Sequence, residues 1–147
     1  MRKLLKMITG LLVALTVAFG VQATTVAPAS ASANGCDSWA AFSWGGLPAP
    51  VPGGFLCHRI FGSGTRVDYE DATFSAHSNF CNWRIDFRYF DTAGQNYATS
   101  YGPTNLRCNV LGSRARTTAF TLRPGRACAY LYTNGIYTTK QCHSITY

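Results

Sequence analysis

Between residues 80 and 90 the chain alternates. Cys81, Trp83, Ile85, Phe87 and Tyr89 fall on one side of an extended backbone, and Asn82, Arg84, Asp86 and Arg88 on the other. Successive side chains of a strand point to opposite faces, so this period of two predicts a strand with one face in a core and one in water. A helix would spread the same rings around its circumference. On the polar side Asp86 sits between Arg84 and Arg88, and exposed salt bridges of little energetic weight are expected there. The end of the chain carries the second strong pattern. Two β-rich runs, 127–133 and 136–145, flank Asn134-Gly135, a dipeptide suited to a two-residue hairpin turn.

Weaker runs fill the space between. A strand is expected at 55–61, a turn at Gly62-Ser63-Gly64 and a strand at 65–69, after which Glu70 and Asp71 interrupt and 72–77 is ambiguous. A turn at 91–96 leads to a strand at 97–101. Gly102-Pro103-Thr104-Asn105 breaks it, 106–110 follows, and Gly112-Ser113 breaks the chain again. Thr117, Thr118, Phe120 and Thr121 favour strand at 115–122. About seven to eight short strands without an amphipathic helix predict an all-β fold, a small antiparallel β-sandwich or barrel over 55–147. Residues 34–54, with Gly45-Gly46, Pro48, Pro50, Pro52 and Gly53-Gly54, read as a Gly/Pro/Trp-rich arm rather than a strand. An immunoglobulin domain does not follow, because Trp83 shares its strand with Cys81 instead of lying on the next one.

The first residues belong to a different pattern. Arg2, Lys3 and Lys6 precede an apolar run at 7–21, and Ala29-Ser30-Ala31-Ser32-Ala33 supplies small residues for cleavage. Basic, apolar and small in that order predict a secretory signal peptide over 1–33. The apolar run is short of the ~20 residues of a spanning helix, so no transmembrane segment is expected after cleavage. All six cysteines, Cys36, Cys57, Cys81, Cys108, Cys128 and Cys142, lie beyond it. An even count in a short exported chain reads as a disulfide framework, secreted or held at the cell wall. The count leaves the pairing open. Sequential pairs close the shortest loops, and each such bridge contributes about 3 to 4 kcal/mol in the chain-entropy model.

The hairpin adds a condition to the last pair. With a strict two-residue turn Cys128 and Cys142 fall on opposite faces of the ribbon and cannot bond. A Cys128–Cys142 bridge therefore requires a bulge or a longer loop.

Charge divides the chain. From 34 to 91, Arg59, Arg66, Arg84 and Arg88 stand against Asp37, Asp68, Glu70, Asp71, Asp86 and Asp91, a balance of −2; from 92 onward there is no acid, and Arg107, Arg114, Arg116, Arg123, Arg126 and Lys140 give +6. Such asymmetry suits contact with a polyanion, and Arg107, Arg114, Arg116, Arg123 and Arg126 are the candidate contacts. The expected partner is an anionic envelope polymer or another extracellular protein. Nucleic acid is not expected, since the basic half has no RNP-like pattern or basic helix and alternation assigns most of the aromatic residues of 83–90 to the core.

Catalytic signals are sparse. Glu70 and His77 are the closest linear candidates for an acid/base pair, which would suit a small secreted hydrolase such as a ribonuclease. His58 and His143 each follow a cysteine and are expected to face solvent, if the cysteines face inward. Asp68, Glu70 and Asp71 lack the ligand spacing of a calcium loop, and no metal or cofactor is expected.

Three segments carry a resemblance: Phe80-Cys81-Asn82-Trp83-Arg84-Ile85-Asp86-Phe87, the run from Arg126 to Gly135, and Gln141-Cys142-His143-Ser144-Ile145. Together with the style of the leader they resemble small secreted proteins of actinobacteria, over 79–147. The resemblance implies export and a disulfide-containing all-β domain, and it brings no active site with it. The expected function is that of a secreted, non-enzymatic binding protein. A hydrolase and an antimicrobial, toxin-like protein are the alternatives.

Overall fold

The computed structural model describes residues 32–47 and 49–147. The expected leader lies outside them apart from Ser32 and Ala33. Nine strands follow along the described chain: β1 (Ala33–Trp39), β2 (Gly54–Ser63), β3 (Arg66–Phe80), β4 (Trp83–Asp91), β5 (Asn96–Ser100), β6 (Asn109–Arg116), β7 (Phe120–Thr121), β8 (Gly125–Thr133) and β9 (Ile136–Ile145). They form two antiparallel sheets, one ordered β1-β2-β3-β6 with β7 paired to β3, the other β5-β4-β8-β9. The expected all-β class and sandwich arrangement are observed, and the sheets do not close into a barrel. No helix among the described residues is long and apolar enough to cross a membrane.

Alternation decides what enters the space between the sheets. Leu56, Ile60 and Phe74 come from the first sheet; Trp83, Ile85, Phe87, Tyr89 and Leu131 come from the second, and all are buried. The Phe74 ring centroid lies 5.0 Å from those of both Phe80 and Trp83. Such pairs add about 0.5 to 1.5 kcal/mol beyond the area they bury. One side of the sandwich is shut by β1 lying along β9, with Gln141 and His143 against Gly35. On the opposite side Arg114 of β6 donates to the carbonyls of Ile85 (2.9 Å) and Ser100 (2.7 Å) and so ties the two sheets.

Several expected boundaries move, each for a local reason. The run 80–90 is not one strand. Phe80 ends β3, Asn82 adopts φ 48°, and β4 starts at Trp83 in the other sheet. That corner is held by the hairpin turn: Asn134 N donates to Asn82 O at 3.0 Å and Asn82 Nδ2 to Asn134 Oδ1 at 2.6 Å. Glu70 and Asp71 do not interrupt β3, because each meets donors across the sheet or the core. Asp71 accepts from Arg59 Nε (3.0 Å) and Nη2 (2.8 Å). The 34–54 arm begins as a true strand, β1, and only 40–47 and 49–53 are loop-like. The expected strand at 106–110 starts at Asn109, and the expected 115–122 strand is split between β6 and the short β7.

Gly112 sits inside β6 instead of breaking it. A Cβ there would lie 2.4 Å from the Phe74 ring and 2.7 Å from the Trp83 ring. The glycine leaves the strand room for two aromatic side chains.

All three sequential disulfides form: Cys36–Cys57, Cys81–Cys108 and Cys128–Cys142. Cys36 and Cys57 are directly opposite in the β1–β2 ladder, as are Cys128 and Cys142 in the β8–β9 ladder. The second case meets the condition set by the hairpin. Thr133 pairs with Ile136 across the Asn134-Gly135 turn, yet Leu131 pairs with Thr139, so Thr138 is an extra residue. This bulge rotates the rest of β9 by one position and brings both cysteines to one face. Cys57 and Cys142, with their partners Cys36 and Cys128, lie on the outward faces of their sheets, which reverses the expected orientation of the histidines beside them. His58 is fully buried and His143 half-buried.

Gly112→Ala should cost about 1 to 3 kcal/mol through overpacking against Phe74 and Trp83. Ser113→Ala, on the exposed face, should stay within about 0.5 kcal/mol of wild type. Urea denaturation with the disulfides intact measures both, and equal effects would contradict the packing account.

Candidate functional site

Two polar assemblies stand out, one sealed between the sheets and one on the surface. The sealed one centres on Glu70 of β3. Its Oε1 accepts from His58 Nε2 at 3.0 Å, and its Oε2 accepts from the Tyr89 hydroxyl at 2.5 Å. Tyr89 accepts in turn from Arg116 Nη1 at 3.1 Å. Burial, then the charge of Glu70, pushes the Tyr89 phenol far above its ordinary range. His143 Nε2 donates to the carbonyl of His58 at 2.8 Å, and burial pulls the His143 pKa below its ordinary value. This chain of acid, base and phenol has the elements of proton transfer. His58 and Glu70 are nevertheless wholly buried, and through the Tyr89 hydroxyl they link the two sheets.

The expected Glu70/His77 pair is not brought together. The two residues are an odd number of positions apart on β3, so their side chains take opposite faces. Glu70 is buried and His77 exposed, about 23 Å along the strand.

The surface assembly covers the outer face of the β5-β4-β8-β9 sheet. Register builds it row by row. Arg84 stands opposite Tyr132, which stands opposite Tyr137; Asp86 opposite Tyr130, which stands opposite Lys140; Phe90 opposite Arg126. Cations and rings are interleaved within contact distance. The Arg88 guanidinium lies 4.7 Å from the Tyr130 centroid and donates to the Tyr132 hydroxyl at 2.6 Å. Arg84 lies 5.0 Å from the Tyr132 centroid, Lys140 5.7 Å from that of Tyr130, and Arg126 5.8 Å from that of Phe90. Each such contact contributes about 0.5 to 1 kcal/mol at exposed sites. Burial raises the pKa of Tyr132, against the opposing pull of Arg88, and burial followed by the neighbouring Tyr130 raises that of Tyr137. These two phenols therefore stay neutral and add no negative charge.

One acid lies under this face. Asp86 does not take part in the expected exposed ladder and is fully buried instead. Its Oδ1 accepts from Gly102 N at 3.0 Å and stands 3.0 Å from Arg84 Nε, an ion contact too bent for a hydrogen bond. Arg88, Arg126 and Lys140 have no acidic partner within ion-pair distance among the described residues. At the rims, Asp91 accepts from Gln95 N within its own turn, and Asp37 on β1 lies near enough to Tyr137 to raise its pKa.

The five arginines expected to act together do not share a face. Arg114 points between the sheets, donates to Ile85 O, Ser100 O, Ser100 Oγ and Tyr101 O, and stacks 4.6 Å from the Phe87 centroid. Burial lowers its pKa from the ordinary arginine range. Arg116 serves Tyr89 and lies 3.7 Å from the Phe120 centroid. Arg107 lies at the rim of a cavity of about 470 Å³ that also reaches Trp83 and Arg114. Arg123 stacks on Tyr97 at 5.0 Å. Of the five, Arg126 alone belongs to the aromatic face. The residues that join it are Arg84, Arg88, Phe90, Tyr130, Tyr132, Tyr137 and Lys140. Alternation in 83–90 and the even spacing of Arg126, Tyr130 and Tyr132 are visible signals for parts of this set. Their pairing across strands has no such signal.

Comparison with protein-family models, curated proteins and solved structures finds no match. Among the described residues no group of His, Cys, Asp and Glu side chains is arranged to hold a metal ion.

Glu70→Ala should cost about 3 to 5 kcal/mol, because it leaves buried donors without their acceptor. His77→Ala should change stability by less than about 0.5 kcal/mol. Chemical denaturation of both variants tests this, and a harmless Glu70→Ala would remove the case for a structural carboxylate.

The depressed His143 pKa also sets a pH dependence. Between its folded value and the ordinary ~6.5, the unfolded chain binds more protons than the folded one, so this contribution is complete above pH ~6.5 and declines on acidification. His143→Gln should flatten the fall in unfolding free energy from about pH 7.5 to about pH 5. An unchanged slope would show that His143 is not responsible.

Proposed function

We propose that this chain is an exported, non-enzymatic binding protein that holds an anionic polymer of the extracellular space or cell envelope on the outer face of β4, β8 and β9. The observation that carries the reading is the uncompensated charge of that face. Arg88, Arg126 and Lys140 stand among Phe90, Tyr130, Tyr132 and Tyr137, while the single acid beneath them is buried and set against Arg84.

Export is supported by the basic, apolar and small-residue order of 1–33 and by three disulfides, which fit an oxidising compartment. Binding in preference to catalysis is supported by the burial of Glu70 and His58 and by the isolation of His77. A polymer suits an open face better than a small molecule does, since small ligands favour concave sites that enclose them. The charge asymmetry read from the sequence remains relevant, but Arg114 and Arg116 spend their donors inside the sandwich, and Arg84 and Arg88 come from the acidic half.

Chromatography on an immobilised sulfated polysaccharide tests the reading. Wild type should be retained at low ionic strength and released by added salt, because exposed charges are screened within about 10 Å at ~0.1 M. The double variant R126Q/K140Q should elute at distinctly lower salt, and R107Q/R123Q close to wild type. No retention at low salt would end the polyanion assignment, and an equal loss in both variants would remove it from this face.

A further inference from the structure

We propose that the polymer held by this face is a single-stranded nucleic acid, its bases stacking on the tyrosines and on the guanidinium planes while its phosphates meet Arg126, Lys140 and Arg88. The inference rests on the polyanion reading above and narrows it.

Charge alone leaves the rings unexplained. A polyanion without bases is met chiefly by cations, with the rings serving only its apolar sugar faces, whereas bases stack on rings and guanidinium planes alike. Here the rings and cations are in register across three strands: Arg84, Tyr132 and Tyr137 in one row, Tyr130 and Lys140 in the next, Phe90 and Arg126 further along. Residues two apart on a strand are about 6.6 Å from each other and neighbouring strands about 4.8 Å, so the face offers a two-dimensional array of planar groups. Base stacking on aromatic and guanidinium planes, with a cationic track for the backbone, is how single strands are held with little sequence preference.

The other outer face provides an internal contrast. Phe55, Phe61 and Tyr69 lie there too, but its arginines are engaged, Arg59 with Asp71 at 2.8 Å and Arg66 with Asp68 at 2.7 Å. Rings beside cations that lack an acidic partner are confined to the β4-β8-β9 side of these two outer faces.

The stacking groups are also held in place. Arg88 is fixed by its bond to the Tyr132 hydroxyl and by the Tyr130 ring, and Arg84 by Asp86 beneath it and Tyr132 beside it. Less side-chain freedom is then lost on binding. An open face favours a single strand over a duplex, whose bases are stacked on one another and whose exterior is phosphate. Tyr and Arg are also frequent anchors at protein interfaces. A protein partner, however, would have to supply matching acids to three cations that have none here, whereas phosphates supply them at every step. A sequence motif for nucleic acid is not to be expected from such an arrangement, because no single strand carries the site.

Fluorescence anisotropy of the folded, oxidised chain provides the test, with three labelled probes: a 12-mer of thymidylate, the abasic deoxyribose-phosphate 12-mer of the same charge spacing, and a 12-base-pair duplex. The thymidylate strand should bind at least about 5-fold more tightly than the abasic one, since stacking of one base corresponds to a factor of that order or more. Tyr137→Ala, at a half-exposed ring outside the core, should reduce that preference with abasic binding unchanged, and Tyr132→Leu should reduce it further while also weakening abasic binding, because the Tyr132 hydroxyl holds Arg88. Unlabelled poly-glutamate should displace the strand far less well than unlabelled thymidylate.

Equal binding of thymidylate and abasic strands would overturn the nucleic-acid inference while leaving the polyanion reading in place. So would a duplex that binds as tightly as the single strand, or poly-glutamate that competes as well as thymidylate. Absence of binding by all probes at low salt, together with no retention on the sulfated polysaccharide, would remove both.

Discussion

A carboxylate enclosed between two β-sheets has to be met by donors, and Glu70 is met from both. His58 reaches it from the neighbouring strand of its own sheet and Tyr89 from the facing one, with Arg116 completing the line through the Tyr89 hydroxyl. Burying an unpaired carboxylate is far more costly than burying an apolar side chain, so the sandwich is stable only in arrangements where β2, β3, β4 and β6 bring these groups together. Apolar packing alone tolerates sliding of one sheet over another. This polar line does not, and it fixes Tyr89 against β3 and β6.

The consequence for the surface follows from strand geometry. With Tyr89 directed inward, Arg88 and Phe90 on either side of it are directed outward, and the β4–β8 ladder then sets Arg126 beside Phe90 and Tyr132 beside Arg84. The bulge at Thr138 does the same for β9. It turns Lys140 to the face shared with Tyr130 and Cys142 to the face shared with Cys128. The disulfide, the bulge and the cationic row are therefore one arrangement. Straightening β9 would break the bridge and move Lys140 to the other side of the ribbon.

Local chemistry is readable from the sequence, and long-range pairing is not. The inward set Trp83, Ile85, Phe87 and Tyr89 follows from period-two alternation, and the Asn134-Gly135 turn follows from backbone preference; both are properties of adjacent residues. The condition that a Cys128–Cys142 bridge demands an extra residue is likewise local, and Thr138 meets it. By contrast, Glu70 and Asp71 resemble an interruption until their partners His58, Tyr89 and Arg59 are known, and Gly112 resembles a break until Phe74 and Trp83 are seen to fill the space a Cβ would take. An outward orientation of the histidines presumes that cysteines seek the core. A cross-strand disulfide is satisfied by its own partner on an outward face, which leaves the inward position to His58 and His143.

The arginines show the same division at the level of function. Net charge counts Arg114 and Arg126 alike, yet Arg114 donates four bonds within the sandwich and Arg126 keeps its charge at the surface. Conversely, Arg84 and Arg88 lie in the acidic half of the sequence, where Asp86 stands ready to balance them. Burial withdraws Asp86 from the surface, and only Arg84 stays within ion-pair distance of it, so Arg88 joins the tyrosines of a hairpin that begins far along the chain. A patch assembled in this way has no linear signature. Its character depends on which charges the fold consumes for its own stability and which it leaves at the surface.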